Sequence, residues 1–284
     1  MARNRFRETF LRGALAVLVA LAAAGAPAFG ANEAAAGRKV VRAWQDAVVT
    51  VRLVLSTRVV IQGREVNKTE STSVAAATVI DPSGLVVLSF SETDPAEAYR
   101  RMDLGGEDEF KYSIDSEMTD LKMRLSDGTE VPAEIVLRDK DLDMAFVRPS
   151  EPLEEPIPAV NLKKSAELGV LDAVVLLGRL GKVASWAPSV TLDKVQAVVE
   201  KPRTFYIPGA AAGNGQLGTP AFSLDGKVAG VLLLRRPPIG GGSGYSAFQG
   251  PHMRELRVIL PSEDILEAAE QVPARKKKEK GTAE

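Results

Sequence analysis

The chain has 284 residues, with 36 Lys and Arg against 37 Asp and Glu, one His, no Cys and a net charge of −1. That balance gives no electrostatic basis for a nucleic-acid partner. The missing Cys and the single His exclude disulfides, thiolate nucleophiles, Cys-based zinc sites and any site built from two of the chain's own histidines.

At the N-terminus, Arg3, Arg5, Arg7 and Arg12 precede an apolar run from Gly13 to Gly25 that ends in small residues at Ala26, Ala28 and Gly30. This is the pattern of a secretory signal peptide over residues 1–30, with an uncleaved membrane anchor as the alternative. Export of a chain without Cys suits a bacterial envelope, in the periplasm or outside the cell. Residues 31–46 form a leader with a possible helix from Ala34 to Gln45.

The first β block is expected over residues 47–150. Val49, Val51, Leu53 and Leu55 alternate with Thr50, Arg52, Val54 and Ser56, the period of two that turns one face inward. A hairpin follows in Val74 to Ile80 and Leu85 to Leu88, joined by Asp81-Pro82-Ser83-Gly84, whose Pro and Gly fit a type I turn. Residues 92–115 have neither secondary-structure period and read as a polar, acidic insertion. Leu121, Met123 and Leu125 then alternate with polar residues, Asp127-Gly128 makes a hairpin turn, and Val131 to Leu137 and Asp143 to Val147 complete the meander.

Pro149 to Pro158 marks a boundary, and a second β block is expected over residues 151–261. Its strands are Asp172–Leu177, Ser189–Val199, Thr204–Ile207, Ala221–Leu224, Val228–Leu234 and Leu256–Leu260, with a Gly-rich loop over 237–250 before the last. Short strands at regular spacing mean an all-β fold. A helix over 262–272 carries Ile265, Leu266, Ala269 and Val272 on one face, with Glu263 and Asp264 at its positive dipole end. The basic tail, 273–284, reads as disordered and solubilising.

Three segments carry a resemblance. Leu125-Ser126-Asp127-Gly128, then Val131-Pro132-Ala133-Glu134-Ile135-Val136, then Asp143-Met144-Ala145-Phe146-Val147 is similar to the D-G, P-A-x-V-V and D-L-A-V-L run of HtrA/DegP-type trypsin-like serine proteases. Ile80 to Val87 resembles their I-D-P-D-G-Y-I-L strand pair. Gly218-Thr219-Pro220 to Gly230-Val231 resembles their G-G-P-L and L-D-G-x-V-x-G-I segments. The resemblance implies two six-stranded antiparallel β-barrels with a C-terminal helix. Since the chain ends shortly after that helix, it leaves no room for the PDZ domain that often follows in the family.

The resemblance also assigns the catalytic positions, and there the chain departs from it. The histidine position falls on Ser91, the aspartate on Asp143, and the nucleophile on Leu217 within Gly215-Gln216-Leu217-Gly218-Thr219-Pro220. A serine attacks a carbonyl because an imidazole takes its proton, and an aliphatic side chain cannot attack at all. Asp143, without an imidazole to orient, becomes a turn or capping residue.

The expected function is therefore a pseudoprotease that binds a peptide or unfolded protein segment through Gly215, Gln216, Leu217, Gly218 and Thr219, whose amides would face a cleft. A peptide could add there as a strand. One alternative is an active hydrolase with a relocated nucleophile at Ser89, Ser91 or Thr219, for which a Ser–Lys pair would need no His. Another is a purely structural envelope domain. His252, in the second block, reads as a surface or loop residue, and Trp44 and Trp186 as core or barrel-edge residues. No cofactor or metal is expected, because the acidic stretch from Asp103 to Glu109 lacks the D-x-D-x-D-G spacing of a calcium loop. A membrane contact is expected only if the leader stays attached, and the oligomeric state is open.

Overall fold

The computed structural model describes residues 28–94, 112–213, 215–235 and 255–275. Residues 1–27, the core of the insertion, the Gly-rich loop with His252, and the end of the tail lie outside the described residues. The elements in chain order are α1 (Ala28–Trp44), β1 (Val48–Ile61), β2 (Arg64–Asp81), β3 (Leu85–Ser89), α2 (Phe90–Thr93), β4 (Tyr112–Arg124), β5 (Glu130–Asp139) and β6 (Met144–Pro149). They continue with β7 (Ala173–Arg179), β8 (Pro188–Val199), β9 (Phe205–Pro208), α3 (Ala210–Gly213), β10 (Pro220–Ser223), β11 (Val228–Arg235), β12 (Leu256–Pro261) and α4 (Ser262–Ala269). Short 3-10 turns occupy Gln45–Ala47 and Lys182–Ala184.

The strands close two antiparallel barrels, one in the order β1-β2-β3-β6-β5-β4 and the other β10-β11-β12-β9-β8-β7. Period-two patterning explains how they fill. Val86 and Leu88 of β3, with Ala145 and Val147 of β6, point into the first barrel beside Val49, Val51, Leu53 and Val79. Their neighbours Val87, Met144 and Phe146 point the opposite way, into a cluster shared with Val175, Leu177, Phe222, Val231 and Leu233 of the second barrel. Val174, Leu176, Ala221, Ala229 and Leu232 fill the second interior. Strands that meet across the junction are thus apolar on both faces, which is why Leu85 to Ser89 and Ala173 to Leu177 read as nearly continuous hydrophobic runs.

The turns follow the expected chemistry. Gly84 donates its N–H to Asp81 O at 3.0 Å, and the glycine adopts φ +91°. Gly128 and Gly226 also have positive φ in the two Asp-Gly hairpins. Near the end of α1, Val40 and Trp44 join the junction cluster. The Trp44 ring stacks on Phe222 with centroids 5.9 Å apart, and its Nε1–H donates to Gly226 O at 3.2 Å.

Four boundaries differ from expectation. The N-terminal helix begins at Ala28 rather than Ala34. The C-terminal helix stops at Ala269, and residues 270–272 form a turn in which Val272 N–H reaches only to Ala269 O. The physical reason is Pro273, which disfavours helical geometry at the residue before it. β1 and β2 run on to a turn at Gln62-Gly63, and β4 starts at Tyr112 inside the segment expected to lack structure. Arg64 to Thr72 are exposed at every position, so backbone pairing to β1 holds this part of β2 with no apolar alternation to announce it. The second barrel's first strand begins only at Ala173. Before it, Ile157 and Val160 donate backbone N–H groups to Pro82 O and Val79 O of the first barrel, at 3.0 and 2.9 Å.

Candidate functional site

The site forms where β3, the β5–β6 turn and β11 meet. Asp143 occupies the turn with φ +57°, a conformation that Asp tolerates because its short polar side chain bonds locally. Its carbonyl accepts Phe90 N–H at 2.8 Å, which fixes α2 directly over it. The side chain points inward and is only 4% exposed.

Each carboxylate oxygen of Asp143 is engaged by donors. Oδ2 accepts the Ser89 hydroxyl at 2.5 Å and the Leu234 N–H at 2.8 Å. Oδ1 accepts the Ser91 N–H at 2.9 Å and also the Ser91 hydroxyl. Burial pushes the Asp143 carboxyl above its ordinary value, while the two serine hydroxyls and the two amides pull the other way. Glu92, half-buried beside Ser91, is also raised, first by burial and then by the Asp143 carboxylate, with Arg257 opposing.

The Gly215–Thr219 loop packs against the first barrel beside this centre. Gly218 has φ +81°, and a Cβ there would lie 2.3 Å from Ala76 O and 3.2 Å from the Leu88 Cα. The Thr78 hydroxyl donates to Gly218 O at 2.8 Å. Only glycine fits so close to two strands of the other barrel. Leu217 is 7% exposed and belongs to the second barrel's interior cluster with Leu168, Val174, Ala212 and Leu232. The Leu217 side chain is therefore packed as core.

The two glycine amides of this loop do not face a cleft as expected. Gly215 N–H donates to Ala212 O at 2.8 Å, and Gly218 N–H to Leu232 O at 2.7 Å. Gly215 O in turn accepts Arg257 Nη1. The Gln216 side chain is also held, its Oε1 accepting Arg179 N–H at 3.1 Å. Asp193 pins the start of the loop by accepting Ala212 N–H at 2.7 Å.

Among the three alternative hydroxyls, Ser89 is fully buried on Asp143 and Thr219, 2% exposed, donates to Gln216 O at 2.8 Å. Ser91 alone of the three is half-buried. The structure thus brings Ser89, Ser91 and Asp143 together, seats the Leu217–Gly218 loop against the same strands, and leaves Thr219 out of the network. Asp143 sits in a turn, as expected, but its carboxylate is a buried hub rather than a cap. Sequence reasoning missed Glu92, Leu234 and Arg257. Glu92 had a signal in its place next to Ser91, whereas nothing in the chain announced the other two.

A family model described as "Trypsin-like peptidase domain" matches residues 30–231. The chain belongs to the trypsin-like peptidase family. A "Probable periplasmic serine endoprotease DegP-like" of Rickettsia conorii is 26% identical over 191 residues, 63% of this chain and 32% of that protein. The "Periplasmic serine endoprotease DegP" of Salmonella typhimurium is 28% identical over 127 residues, covering 44% and 26% respectively. The chain thus spans about a third or less of the length of the curated relatives it matches. An HtrA-type protease solved with a tripeptide superposes with a TM-score of 0.50 at 16% identity, covering 82% of this chain and 62% of that one, which establishes the shared fold.

Proposed function

We propose that this protein is an exported, trypsin-fold pseudoprotease of the bacterial envelope that holds a peptide or unfolded protein segment without cutting it. The observation that carries this reading is the closed Asp143 network. Where a protease's buried aspartate accepts an imidazole N–H, this carboxylate is taken up by two serine hydroxyls and by the Ser91 and Leu234 amides. Leu217 supplies no nucleophile, and the Gly215 amide, one of the donors such a site would turn toward an oxyanion, is bonded to Ala212. Export is supported by the Arg-rich, apolar N-terminus and by the periplasmic designation of the relatives.

One observation favours a second reading. The Ser91 hydroxyl donates to a carboxylate whose proton affinity burial has raised, so Asp143 could serve as a weak general base for it. Treating the full-length protein with a serine-directed fluorophosphonate and reading the adduct by peptide mass mapping separates the two. The pseudoprotease reading expects no adduct. Labelling of Ser91 that disappears in Ser91→Ala, together with turnover of an unfolded substrate, would establish the hydrolase instead.

A further inference from the structure

The β7–β8 hairpin carries most of the large apolar side chains that the fold leaves in water. Val170, Leu171, Leu180, Val183, Val190 and Leu192 lie on it or at its base, against Val66, Val74 and Leu256 elsewhere among the described residues. Val183, at the tip, is 105% exposed, so it stands clear of everything around it. Behind it, Val190 and Leu192 are 49% and 38% exposed. Their partners across the hairpin, Leu177 and Val175, face the same side but are covered by the junction cluster. On the outer face of this ribbon Val190 and Leu192 are thus bare beside the covered Leu177 and Val175, with Arg179 and Pro188 next toward the tip.

The tip is braced, not loose. Leu180 and Ala187 close it through a 2.9 Å backbone bond, and Ser185 N–H and Trp186 N–H return to Lys182 O and Gly181 O at 3.0 and 3.2 Å. Ser185 and Trp186 both hold positive φ, at 52° and 54°, an unfavourable conformation for non-glycine residues that persists only where surroundings enforce it. The enforcement is visible. Arg124 of the first barrel stacks on the Trp186 ring at 4.0 Å, and Arg179 Nη1 donates to Trp186 O at 3.1 Å. A strained, cross-braced turn therefore presents Val183 outward.

Charge selects the partner. From Ala173 to Leu192 the chain has no Asp or Glu, although acidic residues number 37 overall. Lys182 is exposed beside Val183 and Lys194 beyond Leu192 on the same face, while Asp172 is exposed at the hairpin's base and Asp193 is half-buried on the opposite face, where it accepts Ala212 N–H. A protruding apolar tip flanked by exposed lysines suits a flat, deformable apolar layer whose surface is negative. We infer that this hairpin, through Val183, Val190 and Leu192 with Lys182 and Lys194, docks on a bilayer surface containing anionic lipid. This surface is separate from the Asp143 site and does not depend on the function proposed for it.

The absence of Cys permits a clean test. Full-length Val183→Cys carrying an environment-sensitive fluorophore is mixed with vesicles of mixed zwitterionic and anionic phospholipid, with Thr69→Cys on exposed β2 as the control for tethering by the leader. The expected result is a blue shift and protection from aqueous quencher at position 183, none at 69, and about fivefold weaker partitioning when Lys182→Ala is added. No shift at 183, or an equal shift at 69, overturns the inference. Equal shifts on purely zwitterionic vesicles overturn the assignment to anionic lipid. A concentration-dependent shift at 183 without vesicles would assign the hairpin to a second copy of the chain instead.

Discussion

Asp143 of the first barrel accepts the backbone N–H of Leu234 from the second at 2.8 Å, on the same oxygen that takes the Ser89 hydroxyl. One buried carboxylate therefore ties the two barrels together. The energetic consequence is asymmetric, because a buried donor that loses its acceptor has no water to replace it.

Replacing Asp143 with Ala leaves Ser89, Ser91 and the Leu234 amide without their acceptor. The expected loss is about 3 kcal/mol of unfolding free energy, read from urea denaturation. A loss indistinguishable from that of an exposed surface substitution would show that the network contributes nothing.

The same group sets a pH dependence. Burial raises the Asp143 carboxyl above its ordinary value of 3.8, so the folded state binds this proton more readily than the unfolded chain. Its contribution to stability is then complete below that ordinary value and is lost as pH rises through the raised native one. Compared with Asp143→Asn, the wild type should gain stability on acidification between the two values. Denaturation curves of the two proteins at stepped pH that stay parallel throughout would contradict this.

Gly218→Ala and Gly226→Ala form a matched pair. Both positions have positive φ, +81° and +85°, but a Cβ at 218 would meet Ala76 O at 2.3 Å while at 226 it meets open space. The expected cost is about 1 kcal/mol at 226 from backbone conformation alone, and several-fold more at 218, where the strands must part. Thermal melting of both variants checks the ratio, and equal losses would mean that the Leu217 loop is not wedged against the first barrel.

Leu217→Ser places a hydroxyl at the position proposed for the nucleophile without supplying a base for it. The variant should lose about 2–3 kcal/mol of stability, because a buried leucine is exchanged for a small polar group. It should also remain unlabelled by a fluorophosphonate, since no described residue supplies an imidazole. Rapid labelling of the serine would show that a proton acceptor is in place after all.

How much of this was legible in the chain depends on where each partner lies. Both barrels announced themselves through Asp-Gly turns and alternating runs, because those signals are local. Motif order singled out Ser91 and Asp143, and the structure places them in hydrogen-bonding contact. What Asp143 does there was not legible, since its partners Ser89 and Leu234 lie 54 and 91 residues away and only barrel closure brings them together. The long β1–β2 hairpin escaped for the opposite reason. The β2 half, Arg64 to Thr72, is exposed at every position, so no apolar alternation marked a strand that backbone pairing to β1 sustains. At the N-terminus, small residues read as the end of a leader, while their helical continuation from Ala28 depends on the Ala-rich stretch that follows.

The most direct measurement of the central claim follows one labelled, unfolded polypeptide by two readouts in the same tube: fluorescence anisotropy for capture and intact mass for cleavage. The account predicts that anisotropy rises with protein concentration while the polypeptide's mass stays unchanged over hours. Appearance of shorter fragments whose formation stops in Ser91→Ala, or a flat anisotropy with intact polypeptide, would contradict it.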